Sequence, residues 1–386
     1  MRNFIGLINR EFKHFFNNKV LRLLFIGAPI LYGVLIGAVY HKGKITDLPI
    51  IVINEDQGPL SQKLIQMLEE TESIEIVAVL PSMYGVKDKA LDTESTVIVN
   101  IPSDFTSGIQ QNRLPEITIF VDASNTLTSN TALMAVNTVA MTMKAGIQIE
   151  SQMKKGIPEY IATQSFEPFK TTIIKQSIRS GNYLFFMLPG VLLTVFQQIL
   201  LLGLALTFAA EYENGTFREL VRKMPNPFGM LAVKIIPYMI MSVGILLLYW
   251  GFSKYYNMVI GGAFWAFTLS TFVFILAVCG IGVLVSIILP NQLKATEVLM
   301  VVATPSFILS GFTWPLSQMP GWIQTIADLI PLTHYLKIFR LLYLNHAGIS
   351  HIYASLLAMV LIAIVTLTLS AFILHFKIRK VRKGRV

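Results

Sequence analysis

The sequence is short of charge. Asp, Glu, Lys and Arg make up 14% of its 386 residues, against roughly 25% in a soluble domain. Apolar residues reach 54%, and mean hydropathy is +0.61. A soluble enzyme and a disordered chain are both excluded, and part of this chain must dissolve in lipid. Cysteine is nearly absent. Cys279 stands alone, so no intramolecular bridge forms and a disulfide scaffold is excluded. Lying in the apolar run 272–289, it reads as a small core hydrophobe. A phosphate-binding loop is also missing. The only Gly-Lys pair, Gly43-Lys44, is followed by Ile45 and lacks the upstream glycine, so this chain does not bind ATP in that way. The six histidines are scattered. His346 and His351, the nearest pair, read as interfacial polar residues, and no Ser, Cys and His spacing suggests a nucleophilic triad. The sequence predicts neither catalysis nor a metal site.

The net charge of +9 does not point to nucleic acid. Residues 41–182 hold 12 basic and 16 acidic side chains, so the rest of the chain carries +13. Those cations flank apolar runs, at 2–22, 218–223 and 377–385. None forms a basic stripe interleaved with stacking aromatics, as a nucleic-acid groove requires. Their work is orientation in a membrane.

A helix needs ~20 mostly apolar residues to cross ~30 Å of hydrocarbon. Residues 20–40 suffice despite Arg22, which can snorkel. Residues 183–210, 231–252 and 263–289 follow, then 298–312, completed by 295–297 and interrupted by Thr304-Pro305, and finally 351–376. The stretch 322–330 is too short. With the N-terminus inside, the inner segments hold 14 basic residues and the short outer ones 3, which places both termini in the cytoplasm. The first span is too long for a signal-peptide core and no A-x-A site follows it, so it stays as an anchor. Ahead of it, Phe4, Leu7, Ile8, Phe12, Phe15 and Phe16 alternate with Arg2, Arg10, Lys13 and Lys19 in an amphipathic surface helix over 1–19.

Residues 41–182 then lie outside and read as a folded domain. Strand patterns at 48–54, 74–80, 96–101 and 116–121 alternate with helical ones at 60–70, 82–91, 102–111 and 127–153. The fold class is therefore an α-helical integral membrane protein with six transmembrane helices and an α/β extracytoplasmic domain inserted after the first. A five-helix region, 183–376, and a basic cytoplasmic tail, 377–386, complete the chain. Asn54, Glu55 and Asp56, and Asp122 with Asn125, sit at strand ends, as turn-forming residues or as ligands. Gln197 and Gln198 lie inside a span, where they line a route or bond between helices.

The first inner loop is the informative one. Phe217, Leu220, Val221 and Met224 share one helical face among Arg218, Glu219, Arg222 and Lys223. Gly215-Thr216 can start that helix, and Pro225 and Pro227 end it. Such a helix either lies on headgroups or docks into a partner.

The pattern E-x-E-x-G-T-x-x-x-L, from Glu211 to Leu220, with Pro225 five residues on, resembles the coupling loop of type-2 ABC exporter permeases. A second segment is similar to that family's outer loop, where short helices dip back into the membrane. It runs Ser310-Gly311-Phe312-Thr313-Trp314-Pro315, then Met319-Pro320-Gly321-Trp322, then Ile330-Pro331-Leu332-Thr333, and ends at Arg340. Its rings Trp314, Trp322 and Tyr335 suit an interface. A third set resembles the outer domain of the subfamily with a large insertion after its first span: Val52 to Gly58, Ile101-Pro102-Ser103-Asp104-Phe105, and Val121 to Asn125. The resemblance implies a permease subunit in the bacterial inner membrane that moves a lipid, drug or other hydrophobic compound outward. It implies a cytoplasmic ABC ATPase partner holding the ATP and Mg, with no cofactor in this chain. Glu211, Glu213, Gly215, Thr216, Phe217, Glu219 and Leu220 would couple to it, the acidic ones facing basic groups of the ATPase. It further implies a second permease copy or paralogue, a periplasmic adaptor, and a re-entrant outer segment carrying Gly311, Pro315, Met319, Pro320, Trp322, Pro331 and Arg340. The rival is a non-transporting receptor or mechanotransmitter driven by the same ATPase. A secondary transporter fits less well, since no inverted repeat is visible.

The charge asymmetry predicts that a reporter fused after Ser177 is active only outside and one after Lys383 only inside. The opposite activity at either site overturns the six-span map.

Overall fold

The computed structural model describes residues 2–166, 169, 171–172, 181–258, 264–344 and 348–383. Ser177 and His346 lie outside the described residues. The chain divides into two compact units, one of Lys44–Ile174 and one of Met1–Gly43 with Lys175–Val386.

The membrane unit begins with α1 (Arg2–Asn17) and α2 (Lys19–Val39), separated by Asn18, whose side chain accepts from the backbone N–H groups of Val20 and Leu21. Its remaining long helices are α8 (Tyr183–Glu213), α10 (Pro227–Tyr255), α11 (Phe264–Ile288), α12 (Gln292–Leu309) and α15 (Ile349–Arg382). With α2 these make six helices, among the described residues, long and apolar enough to cross a membrane. The short α9 (Phe217–Lys223) joins α8 to α10, and α13 (Gly321–Asp328) and α14 (Pro331–Phe339) lie between α12 and α15. Observed helices outrun the apolar stretches at their polar ends. Extra turns carry Glu211 and Glu213 on α8 and the cations of residues 377–382 on α15. Hydropathy marks only the lipid-facing middle of a helix, while backbone hydrogen bonding continues through the headgroup layer.

Central to this unit is α8, which packs against α2, α11 and α12. The helix α1 does not merely lie on a surface. Leu7 and Phe15 are buried, and the Phe15 ring meets Phe25 of α2 edge-on at 4.9 Å and Tyr238 of α10 at 6.0 Å. Further along, α2 approaches α10 through Gly33 and Gly37, where an added Cβ would overlap the Phe252 ring and the Tyr256 hydroxyl. Small residues permit such close helix packing without a hydrophobic driving force.

The second unit is a four-stranded sheet, β1 (Leu48–Asn54), β2 (Ile74–Leu80), β3 (Val97–Ile101) and β4 (Thr118–Val121), in the order β2-β1-β3-β4. Three strands are parallel and β4 is antiparallel to β3. The helices are α3 (Pro59–Glu69), α4 (Val86–Asp92), α5 (Phe105–Gln110), α6 (Thr126–Lys154) and α7 (Glu159–Phe166). Leu64 and Leu68 of α3, with Val136, Val139 and Met143 of α6, cover one face of the sheet over Ile50, Val52 and Val99. Val86 of α4 covers Ile51 and Ile53 on the other. That explains why β1 reads as an unbroken apolar run, since a parallel strand buried on both faces has no polar side to show. The strand-end polar residues fold as turns. Asn54 accepts from Asp56 N–H, Asp122 from Ser124 N–H, and Asn125 caps α6 through Leu127 N–H.

Because this unit has its own core, residues 41–182 expressed alone should be soluble and show a mixed α/β circular dichroism spectrum. An all-helical spectrum would contradict the fold.

Candidate functional site

At one end of α8 the chain gathers charge from three helices. Glu211 is 4% exposed and pairs with Lys234 of α10 at 2.7 Å and with Arg10 of α1 at 3.0 Å. The Lys234 ammonium, 2% exposed, also reaches Glu11 of α1 at 2.9 Å. Two cations and two carboxylates therefore close on one another with no net charge. Thr216 adds its hydroxyl as a donor to Glu211, which ties the loop after α8 into the same cluster. Beside it lies a cavity of about 350 Å³ with polar and apolar walls, lined by Arg10, His14, Phe15, Leu21, Lys234 and Gln292 among others.

The loop then turns through Gly215, at φ +68°, where an added Cβ would meet nothing within 4 Å among the described residues. Glycine is required there by backbone conformation rather than by space. α9 follows, burying Phe217, Leu220 and Val221, with Phe217 packed 4.7 Å from the Tyr212 ring. Arg218, Glu219, Arg222 and Lys223 stay exposed. Glu219 accepts from Lys223 at 2.6 Å, and this ammonium holds its carboxyl below the usual range. Glu213 accepts from the Gln292 backbone N–H at 2.9 Å and from the Gln292 amide, so it caps the start of α12. Of the acidic residues expected to face a partner, Glu211 is enclosed and Glu213 is engaged at α12. Only Glu219 stands on the open face of α9. Proximity in sequence to the docking pattern did not reveal that the two glutamates have partners within the chain.

The opposite segment holds Gly311 at φ +74° against Leu316. Arg340 donates to the Phe312 carbonyl at 2.8 Å and to Gly311 at 3.4 Å, and stacks 5.0 Å from the Phe312 ring. Pro315 opens a single turn, Leu316–Gln318, and after Met319 the next proline, Pro320, opens α13. Pro331 begins α14, which packs against α8, α11 and α15. Trp314 and Trp322 are exposed. Tyr335 is not an interface ring: it is fully buried, stacked 4.2 Å from Phe274 and bonded to the Thr271 hydroxyl at 2.7 Å. Nor does Gln197 face a route. It is 1% exposed, donates to Ser306 at 3.2 Å and accepts from Leu332 N–H at 3.1 Å. Gln198, half-buried, donates to the Ala303 carbonyl at 3.3 Å. Both amides serve as bonds between helices.

These features combine a multi-pass bundle, a short helix anchored at its charged end and a folded segment between its last two spans. Residues 19–372 match the profile of the ABC-2 family transporter protein. The chain belongs to the ABC-2 transporter family. It is 22% identical over 364 residues to the probable multidrug ABC transporter permease YbhR of Escherichia coli, covering 93% of this chain and 95% of that protein. Similarity to the inner membrane transport permease YhhJ of Escherichia coli is 22% over 375 residues, with 94% of each chain covered. ABC transporter G family member 20 of Dictyostelium discoideum is 22% identical over 370 residues, covering 90% of this chain and 47% of that longer protein. This chain is the membrane permease subunit of an ABC exporter.

The residues of this ABC-2 permease that sequence reasoning missed are Arg10, Glu11 and Lys234. A signal existed for the last. An ammonium within the 29-residue α10 is costly to bury and demands a partner. Removing one member of a buried ion pair costs about 3–5 kcal/mol. Lys234→Met should therefore sharply lower the thermal unfolding temperature of the purified permease, because Glu11 then loses its partner and Arg10 alone is left to balance two buried carboxylates. Adding Glu11→Gln should restore part of the loss, since neighbours in one network couple by about 0.5–3 kcal/mol. Strictly additive losses would show that the cluster does not act as a unit.

Proposed function

We propose that this permease moves a lipid, drug or other hydrophobic compound outward, driven by a separate cytoplasmic ATPase that holds the ATP and Mg and grips α9. The observation that carries this reading is the Glu211 cluster. It joins α1, α8, α10 and the loop leading into α9, so a displacement of α9 is passed to two spans and to the N-terminal helix together. Two arrangements of the spans, biased by the partner's nucleotide state, are what such a cycle requires. The family supports an ATPase partner, and the name of the relative YbhR as a multidrug permease favours export over a receptor role.

In this reading both termini and α9 face the cytoplasm of a bacterial cell, in its inner membrane. The unit of Lys44–Ile174 lies outside, as does the segment from Gly311 to Arg340, which dips back into the bilayer. A second permease copy or paralogue completes the pathway, and a periplasmic adaptor can meet the outer unit. Lopsided cation counts between the loops support this orientation.

The exposed face of α9 carries Arg218, Glu219, Arg222 and Lys223, a net charge of +2. Its complement on the ATPase is therefore an acidic groove. Partly buried charge pairs lose ~2–5 kcal/mol on truncation of one partner, roughly 30-fold or more in affinity. Arg218→Glu with Arg222→Glu should abolish co-purification of the ATPase and substrate-stimulated ATP turnover in liposomes, with membrane insertion intact. Gly215→Val should act in the same direction, because a left-handed backbone costs a branched residue roughly 1–2 kcal/mol and α9 would be re-aimed. Normal ATPase binding and turnover in both variants would reduce α9 to a membrane-surface segment.

A further inference from the structure

Away from the charged cluster, the bundle encloses a cavity of about 510 Å³ between α8, α10, α11 and the end of α14. Its volume falls within the ~300–1,000 Å³ of small-molecule sites. It is lined by residues 188–193 of α8, 239–253 of α10 and 264–275 of α11, the half of the bundle remote from Lys234. The walls are almost wholly apolar, and a cavity of that kind does not hold water. The lining hydroxyls of Ser253, Thr268 and Thr271 are bonded to the carbonyls of Met258, Phe264 and Phe267. The Tyr249 hydroxyl is different: it is buried and has no hydrogen-bond partner among the described residues. Its ring is held edge-on against Phe196 at 6.4 Å, so the hydroxyl cannot easily swing away.

The cavity opens sideways. Ile240, Val243, Trp250 and Phe272 line it and are also exposed on the bundle's surface, where the proposed membrane placement puts lipid. Depth narrows the occupant. At 1.5 Å per residue the 29-residue α10 is about 43 Å long, some 13 Å more than the ~30 Å hydrocarbon layer. Tyr249 lies six residues, about 9 Å, from the helix end at Tyr255. With that excess shared equally between its two ends, the Tyr249 backbone stands about 2–3 Å inside the edge of the hydrocarbon, within a tyrosine side chain's reach of the ester groups of a phospholipid. We infer that this cavity binds a membrane phospholipid by one acyl chain, with the Tyr249 hydroxyl donating to the ester carbonyl.

The test uses the full-length permease in nanodiscs containing phosphatidylethanolamine with a diazirine on the upper part of one acyl chain. Illumination should label peptides from 239–253 and 264–275 more strongly than the exposed face of α15 around Leu361. Tyr249→Phe keeps the ring and removes the donor, and should cut that labelling roughly two- to tenfold. Val243→Trp, which plugs the mouth, should remove most of it, and Leu361→Trp on α15 should leave it unchanged. Even labelling across α10, α11 and α15, or wild-type labelling in both cavity variants, overturns the proposal. So does protection of the cavity by a hydrophobic cationic drug but not by unlabelled phospholipid. If Val243→Trp fails to insert, the isosteric Tyr249→Phe decides. No ATPase is present in this experiment, so its failure would leave the export reading untouched.

Discussion

A lysine that cannot stay in water organises one end of this protein. Lys234 sits seven residues into α10 and is 2% exposed, a position that an isolated ammonium cannot hold without a partner. The solution draws Glu211 from α8 and Glu11 from α1 onto one nitrogen, and Arg10 then balances the second carboxylate. Helix length makes this tolerable. α8 and α10 extend beyond the hydrocarbon layer, so the cluster lies near the level of the headgroups, where desolvation is incomplete and long side chains can reach inward. Breaking one pair would strand a charge, so α1, α8 and α10 are held in one mutual arrangement.

The rest of the charged end follows from that anchorage. Thr216 is bound to Glu211, Gly215 takes the left-handed turn just before it, and Phe217, Leu220 and Val221 sink into the bundle. α9 is only seven residues long, too short to be stable as an isolated helix. Its conformation is borrowed from the packing beneath it. A short helix held this way transmits displacement rather than absorbing it, which is the property a coupling element needs.

What the sequence disclosed and what it hid divide along chain distance. Apolar runs and alternating patterns place the long helices and the four strands to within a few residues, because those signals are local. The burial of β1 on both faces is legible in 48–54 for the same reason. Glu211 and Arg10 are 201 residues apart, and Lys234 and Glu11 are 223 apart. No period or motif links them. The motif around Glu211 suggested an outward-facing carboxylate where the fold encloses it. Tyr335 misled similarly: an aromatic hydroxyl suits an interface, but Thr271 gave it a partner inside.

The two span glutamines show how a membrane fold repairs its own interruptions. Pro305 has no N–H to give, and the helix of Gln292–Ala303 stops before resuming at Ser306–Leu309. The Ala303 carbonyl, one of the last four of the first segment, lacks an intrahelical donor in a medium that offers no water. It accepts instead from the Ser306 hydroxyl and, across the bundle, from Gln198. The mirror problem arises where α14 starts at Pro331, since the first N–H groups of any helix lack intrahelical acceptors. Leu332 N–H donates to the Gln197 carbonyl oxygen, whose amide nitrogen in turn reaches Ser306. One pair of adjacent residues on α8 thus satisfies the break in α12 and the restart at α14. Polar side chains in a span need not mark a route for substrate when an unmatched backbone group lies within reach, and here both amides have one.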